Sequence, residues 1–385
     1  PTIARQSRRF GWLAIPALAL VAAAWLQMPR IVRAELLLRS SVAATLIRTT
    51  STLPPRTYLH EALSRLDLGD EPDEVELPRG LITVGDDWNV ILITVDTLRA
   101  DTLPPVRDGD EDFAQEGDTP FLDGWIAGSY RFRRAYANAT MTHRSMPALF
   151  RSLETFEDPL RFGIPISTYM ASHGRMPVAI ANNYFIEPRF AAARALLDGF
   201  ERISIYEKQE MRDQVALTRE LIESVDGRPF FAWVHFYCMH DPGYDGEMLS
   251  GKDGTWRERY RASLRWLDSQ MGALIGVINE LGLGEKTLIV FTSDHGEGLG
   301  DHGTANHGPT IFDPEIRIPL VIHVPGREGA EIDATVGNID VLPTIVDLLG
   351  LPLDPTHRGQ SLVPLLAEPD DAAWDRDYYI ENDKG

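Results

Sequence analysis

Asp294 and His295 stand side by side in the run Thr292-Ser293-Asp294-His295-Gly296-Glu297-Gly298. A carboxylate oxygen next to an imidazole nitrogen is a donor pair for a divalent metal ion. The run directly follows the apolar stretch Thr287 to Phe291, which reads as a buried strand. In open α/β sheets, ligands sit beyond the carboxyl ends of such strands. A second apolar stretch, Asn89 to Val95, ends the same way on Asp96. If the two strands run parallel, both carboxylates reach one edge of the sheet, and one metal site follows from two strand ends.

Between these carboxylates lies the segment from Asn138 to Phe150, which reads as a loop running into a helix. Ser145 is expected as the N-cap, with Pro147 in the first turn. Thr142, just ahead of that N-terminus, would face the positive end of the helix dipole and its free amides, where an anionic ester could be held. Thr142 is therefore the candidate nucleophile. A threonine in such a place can equally serve as a capping or surface residue, and only the two metal carboxylates favour catalysis. His143 and Arg144 neighbour Thr142 and are candidates for binding the anion, against a plain solvated loop. His60, His173, His323 and His357 take no role in this reading.

The elements that must carry these residues alternate. Strand-like runs fall at Asn89 to Val95, Val178 to Ala181, Phe230 to Tyr237, Thr287 to Phe291 and Leu320 to Val324. Tyr260, Leu264, Leu267, Met271, Leu274 and Ile275 recur at three- and four-residue steps, as do Ile339, Leu342, Ile345, Val346 and Leu349, each set marking one helical face. Alternating strands and helices predict an α/β fold with a central, mostly parallel sheet flanked by helices.

The chain has 385 residues, 44% hydrophobic and 24% charged, which suits one large globular core or two smaller ones. A formal net charge of -20 leaves no basic surface to displace counterions, so a nucleic-acid partner is not expected. Cys238 is the only cysteine, which excludes an intrachain disulfide. No charged residue occurs from Phe10 to Met28. At about 1.5 Å of rise per residue, a helix there approaches the hydrocarbon thickness of a bilayer. Arg5, Arg8 and Arg9 precede it and orient it N-terminus inside, with the rest of the chain extracytoplasmic; a cleaved signal peptide gives the same localisation. The expected organisation is residues 1–33 as a membrane span with its flanks, 34–88 as a connector and 89–366 as the catalytic domain. Residues 367–385 would begin a further C-terminal segment that is cut short, with Tyr378, Tyr379 and Ile380 strand-like.

Several motifs recur in order along this chain: Asn89 to Asp101 (NVILITVDTLRAD), Thr119 to Asp123 (TPFLD), His240-Asp241-Pro242, Thr292 to Gly298 (TSDHGEG), Asp301-His302-Gly303, Asn306-His307-Gly308, Arg317 to Leu320 and Asp340 to Thr344. With them, the chain resembles the sulfatase branch of the alkaline-phosphatase superfamily over about Asn89 to Leu366. The resemblance implies an α/β fold with a metal beside a covalent nucleophile. It makes Asp96, Thr142, Asp294 and His295 the metal ligands, with Thr142 doubling as nucleophile. It places His240, His302 and His307 where the substrate anion is contacted or the leaving group protonated.

Two departures shape the expected chemistry. Formylglycine-dependent sulfatases carry Cys or Ser at the modified position, Pro two residues on and Arg four residues on; here those positions are Thr142, Arg144 and Met146. Thr97 follows Asp96 where those enzymes have a second Asp. The set is similar instead to that of phosphoethanolamine transferases and lipoteichoic acid synthases, whose nucleophile is a threonine. The expectation is a membrane-anchored hydrolase of a phosphate or sulfate ester, independent of formylglycine, with one divalent ion. Mixed nitrogen and oxygen ligation suits zinc or manganese ahead of calcium or magnesium. The rivals are a transferase moving a phosphoryl head group between lipid or glycan acceptors, and a catalytically silent binding module at the membrane.

Overall fold

The computed structural model describes residues 82–85, 87–103, 117–157, 159, 162–182, 196–206, 213–240, 255–370 and 374–383. Phe10 to Met28 and most of the expected connector lie outside them. Among the described residues no helix is long and apolar enough to cross a membrane.

In chain order the principal elements are β1 (Asn89–Val95), α1 (Pro120–Ala127), β2 (Tyr130–Tyr136), α2 (Thr142–Arg151), α3 (Ile166–Ser172), β3 (Met176–Asn182), β4 (Arg202–Tyr206) and α4 (Gln214–Glu223). They continue with β5 (Phe230–Phe236), α5 (Trp256–Glu280), β6 (Thr287–Ser293), α6 (Asp313–Ile316), β7 (Arg317–His323), β8 (Glu331–Gly337), α7 (Val341–Leu348) and α8 (Val363–Ala367). The eight strands form one sheet in the order β4-β3-β5-β1-β6-β7-β2-β8. All pairings are parallel except those of β7, which runs antiparallel to β6 and to β2. The expected mostly parallel sheet is therefore a mixed one. Between β6 and β7 the chain contains only short helical turns and no long crossover helix of the kind that usually joins parallel strands.

All seven residues of β1 are buried, because helices cover both faces of the sheet. Its side chains alternate: Val90 and Leu92 enter a core with residues of α2, α3, α7 and α8, while Ile91, Ile93 and Val95 enter another with residues of α1, α4 and α5. The continuous apolar runs of β1, β5 and β6 follow from this double coverage.

The register sets the position of the site. Val95 pairs with Ser293 on one side and with Phe236 on the other. Asp96 and Asp294 therefore leave neighbouring parallel strands at the same level. The turn after β1 is held from below by Tyr260 of α5. Its buried hydroxyl donates to the Thr97 carbonyl at 2.7 Å and accepts the Arg99 amide at 3.1 Å. Tyr260→Phe leaves both backbone groups without this partner, and buried polar groups so stranded cost about 1–3 kcal/mol. Urea denaturation of the variant should show a loss of that order with an unchanged m-value.

Candidate active site

Asp96, Asp294 and His295 are wholly buried, and their ligand atoms all lie within 4.8 Å of one another. Each Asp294 oxygen has its own surroundings. Oδ1 accepts the amides of Thr97 at 3.2 Å and His295 at 2.9 Å, while Oδ2 lies 3.4 Å from His295 Nε2 and has no hydrogen-bond partner. His295 Nδ1 is 2.9 Å from the Gly296 carbonyl. A carbonyl only accepts, so Nδ1 carries the proton and Nε2 keeps its lone pair. Burial, reinforced by neighbouring His307, holds the His295 pKa well below the ordinary histidine value. The ring is thus a neutral imidazole, the form that ligates metals.

Thr142 completes the group: its Oγ1 lies 3.2 Å from His295 Nε2. It is the first residue of α2, after Met141 in extended conformation. The helix starts earlier than the expected cap at Ser145, and Pro147 lies inside it. Ser145 cannot cap because its amide bonds the Met141 carbonyl at 2.9 Å as part of the helix. Its hydroxyl instead donates to the Asp294 carbonyl and accepts from Asn338 Nδ2 at 2.9 Å. That contact ties α2 to the carboxylate loop.

His307 stands over this centre. Its ring centroid is 4.4 Å from that of His295 and 5.2 Å from that of His240. Its Nδ1 is 2.9 Å from Glu297 Oε2, so Nδ1–H donates to the carboxylate and Nε2 is left for proton exchange. Burial opposes the charged form, but Glu297, Asp96 and Asp294 outweigh it and raise the pKa above the usual value. His240 Nδ1 is 2.8 Å from the Tyr237 hydroxyl. His235, buried beside Asp96 with Nε2 3.7 Å from Oδ2, is pushed down to about 4 by burial.

The other candidates sit elsewhere. His302 is exposed in the turn Asp301–Gly303 and packs on Phe312, ring centroids 4.4 Å apart. His143 is exposed, and Arg144 is ion-paired with Glu381. The sequence reading assigns no role to Glu297, His235 or Glu381 and gives Ser145 only that of a cap. Glu297 alone carried a signal, as an acid two residues past His295 within the quoted motif. Arg99 adds a brace: it pairs with Asp101 and Asp301 and donates to the Glu297 carbonyl at 3.3 Å.

These residues fit a divalent cation. Asp294 Oδ2 and Thr97 Oγ1 are buried oxygens with no hydrogen-bond partner, a cost of about 1–3 kcal/mol each. Thr97 also holds φ at 59°, in the left-handed region that a β-branched residue rarely enters. A cation held by Asp96, Asp294 and His295 would offset the adjacent negative charges and satisfy the open oxygen of Asp294. Titration calorimetry should find one zinc or manganese ion per chain. At about 100 times the dissociation constant, the ion should add roughly 2.7 kcal/mol of stability. Asp294→Asn and His295→Ala should abolish both effects.

Residues 88–351 match the Sulfatase family. Arylsulfatase K of Danio rerio is 29% identical over 144 residues, which cover 35% of this chain and 27% of that protein. The multifunctional alkaline phosphatase superfamily protein PehA of Trinickia caryophylli is 37% identical over 147 residues, 37% of this chain and 28% of that one. The matched stretch thus spans little more than a quarter of either relative. The crystal structure of the phosphonate monoester hydrolase of Agrobacterium radiobacter superposes with a TM-score of 0.58 at 20% identity, covering 75% of this chain and 79% of that one; this likeness is one of fold. With the family match extending from β1 past the end of α7, this chain belongs to the sulfatase family.

Proposed function

We propose that this chain is a metal-dependent hydrolase of a phosphate or sulfate monoester or diester, working through Thr142 without formylglycine. One observation carries the reading: the Thr142 hydroxyl, 3.2 Å from the lone-pair nitrogen of His295, adjoins the buried donors of Asp96 and Asp294. Zinc or manganese there would lower the hydroxyl pKa and neutralise the ester oxygens. Arylsulfatase K is a sulfatase by name, and PehA bears the name of a multifunctional protein. Both support ester chemistry and leave the choice of oxyanion to experiment.

The residues divide the work. The Thr142 hydroxyl gives its proton to solvent as its oxygen bonds to phosphorus or sulfur, while the bond to the leaving oxygen breaks in line. His307, kept protonated by Glu297, gives its Nε2 proton to that oxygen. The neutral ring then takes a proton from water as the water oxygen attacks, and the bond to Thr142 breaks. The departing Thr142 oxygen regains its proton from solvent, which returns both residues to their starting states. His240, beside His307, would contact the oxyanion. A lipid or glycan leaving group accords with the reading of Phe10 to Met28 as a membrane anchor, with the catalytic domain extracytoplasmic.

Turnover of 4-nitrophenyl phosphate, bis(4-nitrophenyl) phosphate and 4-nitrophenyl sulfate tests the proposal. Thr142→Ala should remove activity on whichever ester is cleaved, and chelation should abolish it. A Thr142→Ala variant that keeps turning over would overturn the nucleophile. Turnover that needs an acceptor alcohol and fails in water alone would make the chain a transferase.

The pH profile tests the acid. His307 donates its proton below its raised pKa, so activity should fall as pH rises through that value. Glu297→Gln removes the charge that sustains the imidazolium. The alkaline limb of kcat should therefore move to lower pH; an unmoved limb assigns the proton to another group.

A further inference from the structure

The residues 374–383 lie outside the stretch that matches the family, yet they run along the rim of the site. Glu381 forms a parallel bridge with Ala139. Its amide donates to the Asn138 carbonyl at 3.0 Å, its carbonyl accepts the Thr140 amide at 3.2 Å, and Asn138 Nδ2 donates to the Tyr379 carbonyl at 3.0 Å. Two residues on, the Asp383 amide donates to the Gly308 carbonyl at 2.8 Å, and Asn382 Nδ2 to the Pro309 carbonyl at 3.3 Å. One segment thus grips the loop before Thr142 and the loop after His307.

The two loops need such a grip. β1 and β6 fix Asp96 and Asp294 through their ladder, but Thr142 and His307 come from connections that share no ladder. Where they meet, the Gly308 carbonyl accepts from both Thr140 Oγ1, at 3.0 Å, and the Asp383 amide. Gly308 has φ at 106°, and a Cβ there would meet Met141 Sδ at 2.8 Å and Asp383 Cβ at 3.7 Å. The packing leaves no slack between the three strands of chain.

The segment is itself anchored. Arg376 Nη1 and the Tyr378 hydroxyl each reach the buried Asp340 carboxylate at 2.6 Å, and Trp374 Nε1 donates to the Thr335 carbonyl at 2.9 Å. At its far end Glu381, with a side chain only 10% exposed, pairs with Arg144 in the first turn of α2. Side chains two apart on a helix do not share a face, so this pairing directs Arg144 toward the segment, away from the side of Thr142.

We infer that residues 374–383 are a clamp within the catalytic apparatus, setting the distance between Thr142 and His307, with Glu381 as its positioning residue. The inference rests on the roles assigned above to those two residues. Loosening the clamp moves the proton donor off the leaving oxygen while leaving the Asp96, Asp294 and His295 donors in place. The loss should therefore scale with how much the leaving group needs a proton.

Glu381→Ala in the full chain is the test, with Glu381→Gln, which keeps the side-chain shape, as the milder variant. Hydrogen exchange should rise in peptides covering residues 138–141 and 306–310. Turnover of phenyl phosphate or phenyl sulfate should fall ~10-fold more than that of the corresponding 4-nitrophenyl ester, a modest part of what a general acid contributes. Zinc affinity should be unchanged. Unaltered exchange overturns the clamp, as does an equal loss on both esters or a parallel fall in zinc affinity. If the parent chain cleaves none of these esters while Glu381→Ala still releases both peptides, the clamp stands and the proposed chemistry is what fails.

Discussion

Two carboxylates forced together out of water are the constraint from which the rest of the site follows. The in-register pairing of β1 with β6 puts Asp96 and Asp294 at the same level on adjacent strands, inside a core closed on both faces. At an effective dielectric constant of about 20, two like charges about 4–5 Å apart repel by roughly 3–4 kcal/mol. The ladder energy of a sheet buried on both sides holds them there regardless. Around them the protein supplies partial positive charge: the Thr97 and His295 amides on Asp294 Oδ1, and the His307 ring above. A divalent cation would complete what these groups begin.

Rigid and adjustable parts are divided accordingly. The carboxylates belong to strand ends whose positions are shared by every neighbour in the sheet. Thr142 opens a helix and His307 belongs to a loop, and both are placed by individual hydrogen bonds outside the ladder. Glu315 illustrates the difference: wholly buried, it accepts the Gly308 amide at 2.9 Å and the Thr310 hydroxyl, fixing the His307 loop from inside. Ser145 and Asn338 do the same for α2. Buried polar contacts of this kind add little net stability, since each exchanges a bond with water for one within the protein. What they supply is one geometry among many.

Charge is handled with similar economy. Near Thr142, the guanidinium of Arg144 is committed to Glu381, and Arg99 to Asp101 and Asp301. Among these groups, the cationic character that could be offered to an anion comes from His307, which can change its protonation state. Fixed arginine charges serve the scaffold instead. An arginine held bidentately by carboxylates is well suited to that task, because it never loses its proton.

Much of the fold was legible because its signals are local. Apolar runs at Asn89 to Val95 and Thr287 to Phe291 declare strands buried on both faces, and each ends on an acid. β2 and β8 escaped because their arginines, acids and small residues break the apolar run, and β4 because it is a short edge strand of five residues. Likewise, Ser145 looked like a cap when only its neighbours were considered. Its hydroxyl was drawn to the Asp294 carbonyl, 149 residues away, by a contact no nearby pattern announces. By itself the sequence determined the acidic strand ends, the helical faces and the candidate nucleophile, all consequences of interactions within a few residues. Tertiary structure alone decided that Glu297 would hold His307, that His302 would stay at the surface and that Arg144 would turn to Glu381. Those outcomes depend on which loops the folded sheet brings within hydrogen-bond range.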